Sequence, residues 1–183
     1  MKKMIKLPLF LGATAAICGT VLAVTNYFTK DRIAQGERDR INAAYKLHFE
    51  SLSYTKTVTI DDSLLSAGVT GKLYAYDSSK AYIGTVYTCS VVGFAGKSNP
   101  IKFTVSYAGG QVHHYVPISN GESNQGANFM NWLAGDVDGD RVGDISQDTS
   151  GSSVSKKAVV TVPGVVSADY LAEYESIGSY EGE

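Results

Sequence analysis

From Leu7 to Phe28 the chain "LPLFLGATAAICGTVLAVTNYF" carries no charge, and Lys2, Lys3 and Lys6 stand directly before it. An α-helix needs about 20 predominantly apolar residues to cross a bilayer. The glycines and threonines inside the run are compatible with that role, because a helix satisfies its own backbone polar groups. A cleaved secretory signal is the competing reading, but its apolar region spans only about 7–15 residues. The run therefore reads as a retained anchor, although Val21-Leu22-Ala23 mimics a cleavage site. Cys18 follows the bulky Ile17 where lipoprotein processing requires a small residue, which excludes a lipid-modified start. Lys2, Lys3 and Lys6 precede the span, whereas Lys30, Arg32, Arg38 and Arg40 follow it among Asp31, Glu37 and Asp39, so charge alone does not set the orientation. Because long domains translocate largely regardless of charge, the expectation is an N-terminus inside and a body outside.

The anchor leaves a body with its own constraints. Three of the 16 basic residues precede the span, so 13 face 18 acids and the body carries about −5. A negative body argues against nucleic acid as a partner. Cys89 is the one cysteine beyond the span, so the body has no intrachain disulfide and is not a small disulfide-stapled fold.

After the anchor, "TKDRIAQGERDRINAAYKLHF" (Thr29–Phe49) reads as helix with Ile33, Ile41, Ala44 and Leu47 as its apolar stripe. The middle reads as β. "TKTVTI" (Thr55–Ile60) alternates and ends at Asp61-Asp62-Ser63, and "GKLYAY" (Gly71–Tyr76), "YIGTVYTCSVVGF" (Tyr82–Phe94), "IKFTVSY" (Ile101–Tyr107) and "QVHHYVPI" (Gln111–Ile118) follow. Ala108-Gly109-Gly110 between the last two is a tight hairpin, with glycine supplying positive φ. Sequential strands with short turns predict an antiparallel sheet and an α+β domain. Beyond Ile118 the chain turns polar and glycine-rich as far as about Ser155, a long irregular stretch of the kind that carries function or is disordered. Apolar residues return over Ala158–Val166, and a short helix and an acidic tail close the sequence.

Few residues are equipped for chemistry. "DTSGSSVSKK" (Asp148–Lys157) gathers Thr149, Ser150, Ser152 and Ser153 around Gly151, ahead of Lys156 and Lys157. If a helix begins over Ser155–Val160, Ser153 or a neighbour is its N-cap. The free amides of that turn then form an anion site, and Gly151 lets a ligand approach the backbone. A solvated serine-rich loop has the same spacing. In "DVDGDRVGD" (Asp136–Asp144), Asp136, Asp138 and Asp140 match the first positions of a calcium loop. Arg141 and Gln147 then stand where glycine and a bidentate carboxylate belong, so an acidic turn fits better. His113 and His114 are adjacent and on a regular strand face opposite ways. No metal-ligand spacing and no hydrolytic nucleophile motif is present, and no residue is assigned a catalytic role.

Taken together, the pieces have a family likeness. The anchor with "VTNYFTKDRIAQGE" resembles the N-terminus of the G subunit of the Rnf electron-transport complex and of the C subunit of the sodium-translocating NADH:quinone reductase. "GTVYTCSVVGFAGKSNPIKFTVSYAGGQVHHYVPISNGESNQGANF" resembles their FMN-binding domain, with Glu122-Ser123 and Gly126 standing where that domain has a glutamate-threonine…glycine loop. "SGSS" (Ser150–Ser153) stands where the family has serine-glycine-alanine-threonine. In that family a flavin transferase joins FMN through a phosphoester to the threonine, and Ser153 holds that position. Ser150, Gly151 and Ser152 complete the motif. Ser152 replaces its alanine, and Gln147 occupies the place of an acidic residue. Tyr115, Phe129 and Trp132 are candidates for packing on the isoalloxazine, though each also suits an ordinary core.

The resemblance implies a division into a membrane anchor (1–30), a helical connector (31–50), an FMN-binding domain (51–166) and a short helix with an acidic tail (167–183). It implies a single-pass membrane protein with an extracytoplasmic flavoprotein domain. That domain relays electrons as a subunit of an Rnf-like ion-translocating complex, with the other subunits and a flavin transferase as partners. The chain lacks iron–sulfur cysteine clusters and a dinucleotide fingerprint, so it is an electron-transfer subunit rather than a complete enzyme. A free-standing surface flavin shuttle, or a cofactor-free surface module using the acidic loop for calcium, are the alternatives.

Overall fold

The computed structural model describes residues 2–120 and 153–182. Helix α1 runs from Lys2 to His48. By length and composition it is able to cross a membrane, and it is the one such helix among the described residues. The chain divides into two compact units, Met1–Arg40 and Ile41–Glu183. The first unit is helix α1 up to Arg40.

The second unit is built on five strands, β1 (Tyr54–Val58), β2 (Val69–Tyr76), β3 (Tyr82–Val91), β4 (Ile101–Ala108) and β5 (Gln111–Ser119). They pair in chain order, each antiparallel to the next. The α+β class read from the sequence is the observed one, with an apolar N-terminal helix ahead of the sheet. Gly109 at φ 56° and Gly110 at φ 79° form the predicted hairpin, the two-residue turn whose twist matches the strands it joins.

Two elements differ from the sequence reading. Asp61-Asp62-Ser63 does more than end β1: Asp61 is the N-cap of a short helix, α2 (Asp62–Ala67), which Gly68 closes in the left-handed conformation at φ 98°. The C-terminal part is one helix, α3 (Ser153–Glu173), running through Pro163 and Gly164. An internal proline costs about 3 kcal/mol. Val159, Val162, Val166 and Tyr170 are all fully buried on one stripe of α3, and burial at about 1.5–3 kcal/mol per side chain outweighs that cost.

The sheet has two covered faces. Tyr87, Cys89, Ile101, Phe103, Val105, Tyr107, Val112 and Tyr115 point to α3 and form the main core. The opposite face is partly polar, with Thr88, Thr104 and Ser106 buried in it. It is covered by the end of α1, where Tyr45 hydroxyl meets Thr88 Oγ1 at 2.8 Å and His48 meets Ser106 Oγ at 2.8 Å and Thr104 Oγ1 at 2.7 Å. The stripe predicted for this helix holds at Ala44, whereas Ile33 and Leu47 are exposed. Covering a polar sheet face requires hydrogen-bonding side chains, which shifts the contact to Tyr45 and His48.

Phe49 completes that face, lying over Gly84 with Leu73, Ala75 and Val86 around it. A Cβ on Gly84 would overlap the Phe49 ring and come within 2.6 Å of the Tyr107 carbonyl oxygen. The ring is itself buried and packed, and the carbonyl belongs to the sheet, so neither yields easily. Gly84→Ala is expected to destabilise the domain by about 2 kcal/mol through overpacking, read as a lowered midpoint in urea unfolding with an unchanged slope.

Beyond α3, a 3-10 turn (Tyr174–Ser176) leads into the C-terminal residues. Tyr180 sits between Tyr54 (ring centroids 5.2 Å) and Tyr76 (5.3 Å), and its N–H donates to the Lys80 carbonyl at 2.9 Å. The segment read as an acidic tail is therefore held against the β1 side of the sheet.

Candidate functional site

The serine-rich motif meets the fold at the start of α3. Ser153 is the first residue of that helix, two residues ahead of the start the sequence suggested. Its first turn contains Ser153, Val154 and Ser155 and no acidic residue. The N–H groups of a first turn have no partner within the helix, and the helix dipole adds partial positive charge there. Lys156 follows directly in sequence. The arrangement is chemically suited to a phosphate: a hydroxyl-bearing residue, the amides of a helix start, and no acidic residue in the first turn.

The fold also fixes where this helix start lies. Tyr170, near the other end of α3, sits on the β4–β5 turn: its ring stacks on Tyr107 at 5.2 Å and its hydroxyl accepts from Gly110 N–H at 3.2 Å. Back to Ser153 the helix extends about 25 Å. The strands from that turn to Ile101 and Ser119 cover a similar distance, about 25 Å. Helix α2, which precedes the first residue of β2, packs on α3. The α3 N-terminus and the end of β5 thus share one end of the sheet. At that end Ser98, Asn99, Pro100, Lys102, Ser119 and Asn120 line a recess of about 340 Å³. Its lining residues apart from Pro100 are polar, and Lys102, which alternates with the α3-facing Ile101 and Phe103, stands on the other face of the sheet from α3.

Ser150, Gly151, Ser152, Glu122 and Gly126 lie outside the described residues, as do Phe129, Trp132 and the acidic run Asp136–Asp144. Tyr115 lies inside the core, 1 % exposed and stacked on Phe103 at 5.3 Å. It is therefore a packing residue of the α3-facing core rather than a surface on which a ring could settle. Cys89 is also fully buried, and burial pushes its thiol pKa up, so it stays a protonated small hydrophobe.

Three features were not visible as sites in the sequence. Lys72 on β2 is buried beneath α3, with Nζ 2.6 Å from Asp169 Oδ2 and 2.5 Å from Glu173 Oε1. The Tyr87 hydroxyl donates to the same Asp169 oxygen at 2.6 Å. The Glu173 contact is an ion contact rather than an aligned hydrogen bond. The spacing of Asp169 and Glu173, one helical turn apart, was the available signal. The second feature is a bulge in β5: Val112 pairs with Tyr107 and His114 with Ser106, leaving His113 as the extra residue. The bulge overrides the strict alternation expected of adjacent histidines. His113 lies against Phe49 at 4.7 Å and His114 against His48 at 6.1 Å, so both meet the end of α1. The third is His48 itself, whose pKa falls to about 3, first because of burial and then because of His114 and His113. Among the described residues no group of His, Cys, Asp and Glu is arranged to hold a metal ion.

Residues 1–46 match the family model described as the RnfG N-terminal region. Over that stretch the chain resembles the RnfG subunit, and the match points to an Rnf-type electron-transport subunit associated with the membrane in a multi-subunit complex. No curated protein and no solved structure matches the chain.

Proposed function

We propose that this chain is a membrane-anchored flavoprotein subunit of an Rnf-like complex, with FMN joined through a phosphoester to Ser153 and the second unit on the extracytoplasmic side. The observation that carries the proposal is the RnfG N-terminal match over residues 1–46, joined to the position of Ser153 at the start of a helix with no acidic residue in its first turn. Bound FMN supplies the one- and two-electron chemistry of its isoalloxazine. The chain's own contribution is to hold it. The α3 amides and the helix dipole offset phosphate charge, and the Ser153 hydroxyl carries the ester. Ser150, Gly151 and Ser152 let a transferase and the phosphate approach the backbone. Glu122 and Gly126 follow shortly after β5 in sequence, which ends at the recess beside Lys102.

Co-expression of the full chain with a flavin transferase, followed by denaturing electrophoresis and intact-mass measurement, tests the linkage. The expected result is a fluorescent band heavier than the polypeptide by FMN less water, lost in Ser153→Ala and kept in Ser153→Thr. A dark band at the bare polypeptide mass in the wild type removes the covalent reading. Co-purification of further membrane subunits separates a complex subunit from a free-standing shuttle.

A further inference from the structure

Four tyrosines line up from the interior of the second unit to its surface. Tyr87, fully buried, meets Tyr107 edge to face at 5.8 Å. Tyr107 stacks on Tyr170 at 5.2 Å, and Tyr170 stacks on Tyr174 at 4.8 Å. These separations are those of interacting aromatic pairs, and here they continue without a gap. The two ends of the row share a second property. Tyr87 donates its phenolic proton to Asp169 Oδ2 at 2.6 Å, and Tyr174 donates to Glu175 Oε1 at 3.0 Å. The two middle rings have no carboxylate: the Tyr170 oxygen accepts from Gly110, and the Tyr107 hydroxyl faces the neutral Ser167 hydroxyl.

We propose that Tyr87, Tyr107, Tyr170 and Tyr174 form a route by which an oxidising equivalent moves between the buried Lys72–Asp169 pair and solvent. The chemistry follows from acidity. A phenol that loses an electron becomes a far stronger acid, so it is readily oxidised only where a base takes its proton. At the surface a one-electron oxidant stronger than phenol, of the class of the carbonate radical or a photo-oxidised ruthenium polypyridyl, takes one electron from Tyr174, is reduced by one unit, and the proton passes to Glu175. An electron then moves outward through Tyr170 and Tyr107 from Tyr87, whose proton passes to Asp169 as Glu175 returns its own to Tyr174. The net change is one electron lost by Tyr87, one proton moved over a single hydrogen bond, and Tyr174 restored. The stacked middle rings conduct but do not retain the oxidation, because neither has a carboxylate to take its proton, and the Ser167 hydroxyl beside Tyr107 is too weak a base to do so. The route is reversible, and in the outward direction it discharges an interior oxidation at the surface. It goes beyond the flavin reading and does not depend on it.

The test uses the full chain in detergent micelles, without flavin, exposed to a photo-oxidised ruthenium polypyridyl with persulfate and frozen for electron paramagnetic resonance. The expected wild-type spectrum contains a phenoxyl component that disappears in Tyr87→Phe. The same component should fall at least several-fold in Tyr170→Phe and in Tyr107→Phe, where Tyr87 is intact, and remain in Tyr54→Phe. Asp169→Asn, which takes away the proton acceptor, should also suppress it. Far-ultraviolet circular dichroism and melting checks that each variant is folded. Tyr107→Phe removes a hydroxyl that faces only the neutral Ser167 hydroxyl and should fold normally, so it decides the matter if another variant does not. A Tyr87 component that survives Tyr170→Phe and Tyr107→Phe, or its absence from the wild type, overturns the route.

Discussion

Lys72→Met is expected to lower the stability of the second unit by about 3 kcal/mol, the low end of the cost of breaking a buried ion pair by removing one partner. The reasoning starts from who is desolvated. The Lys72 side chain is 3 % exposed, whereas Asp169 and Glu173 keep 20 % and 27 % of theirs. Removing the lysine leaves two carboxylates one turn apart on α3 with no cation between them. Their remaining contact with water softens the penalty, and Tyr87 still donates to Asp169. For a unit of this size the loss corresponds to a melting temperature lower by roughly 10 °C. The triple variant Lys72→Met, Asp169→Asn, Glu173→Gln removes the charges together and is expected to regain most of the loss, as neutral replacement of a whole buried network commonly does. If Lys72→Met alone melts with the wild type, the ion contacts contribute nothing net and α3 is held by its valine stripe alone.

That network also marks where sequence reading reaches its limit. The alternation of Val, Tyr and Thr from Thr55 to Ile118 was enough to locate all five strands, because a half-buried strand repeats every two residues and turn-forming Gly, Asp and Ser separate one from the next. The same period puts Lys72 on one face of β2 with Tyr74 and Tyr76, opposite Leu73 and Ala75, but a single strand does not reveal what lies above either face. That depends on α3, more than eighty residues later in the chain. Proline and glycine at 163 and 164 hid α3 as one helix: local propensity argues for a break, and the buried stripe from Val159 to Tyr170 overrules it. His113 and His114 failed for a different reason. The alternation rule holds only while the ladder is regular, and one extra residue in β5 turns both rings to the same helix. At the candidate site the serine motif and its loop were legible as composition and order. Of these the fold adds the start of α3 at Ser153 and its end of the sheet.

His48 carries the second large expected effect, a loss of stability in acid. Its ring nitrogens face Ser106 Oγ and Thr104 Oγ1, 2.8 and 2.7 Å away. Neutral imidazole offers one donor and one acceptor, and a hydroxyl serves as either, so the neutral ring is satisfied at both ends. The hydroxyls also approach the carbonyls of His114 and Val116 at 3.4 Å. The one that donates to the ring must forgo its carbonyl. A second proton on the ring would have to displace that hydroxyl donor inside a closed face, next to His114 and His113, and burial and those neighbours together hold the folded pKa near 3. In the unfolded chain it returns to about 6.5. Because the folded value is the lower one, the unfolded state binds the proton first, and stability is full above about pH 6.5 and falls as the pH drops toward 3. At about 1.36 kcal/mol per pH unit the loss reaches roughly 3 kcal/mol by pH 4.5. Urea unfolding at a series of pH values measures it. His48→Gln should flatten the curve between pH 6.5 and 4.5 while lowering the neutral-pH plateau, because the amide replaces only part of the bridge between α1 and β4. His113→Gln and His114→Gln, which face His48 from β5, should keep most of the slope, since burial is the larger cause of the shift. A slope that survives His48→Gln and vanishes with the β5 pair would move the acid sensitivity from the helix end to the bulge.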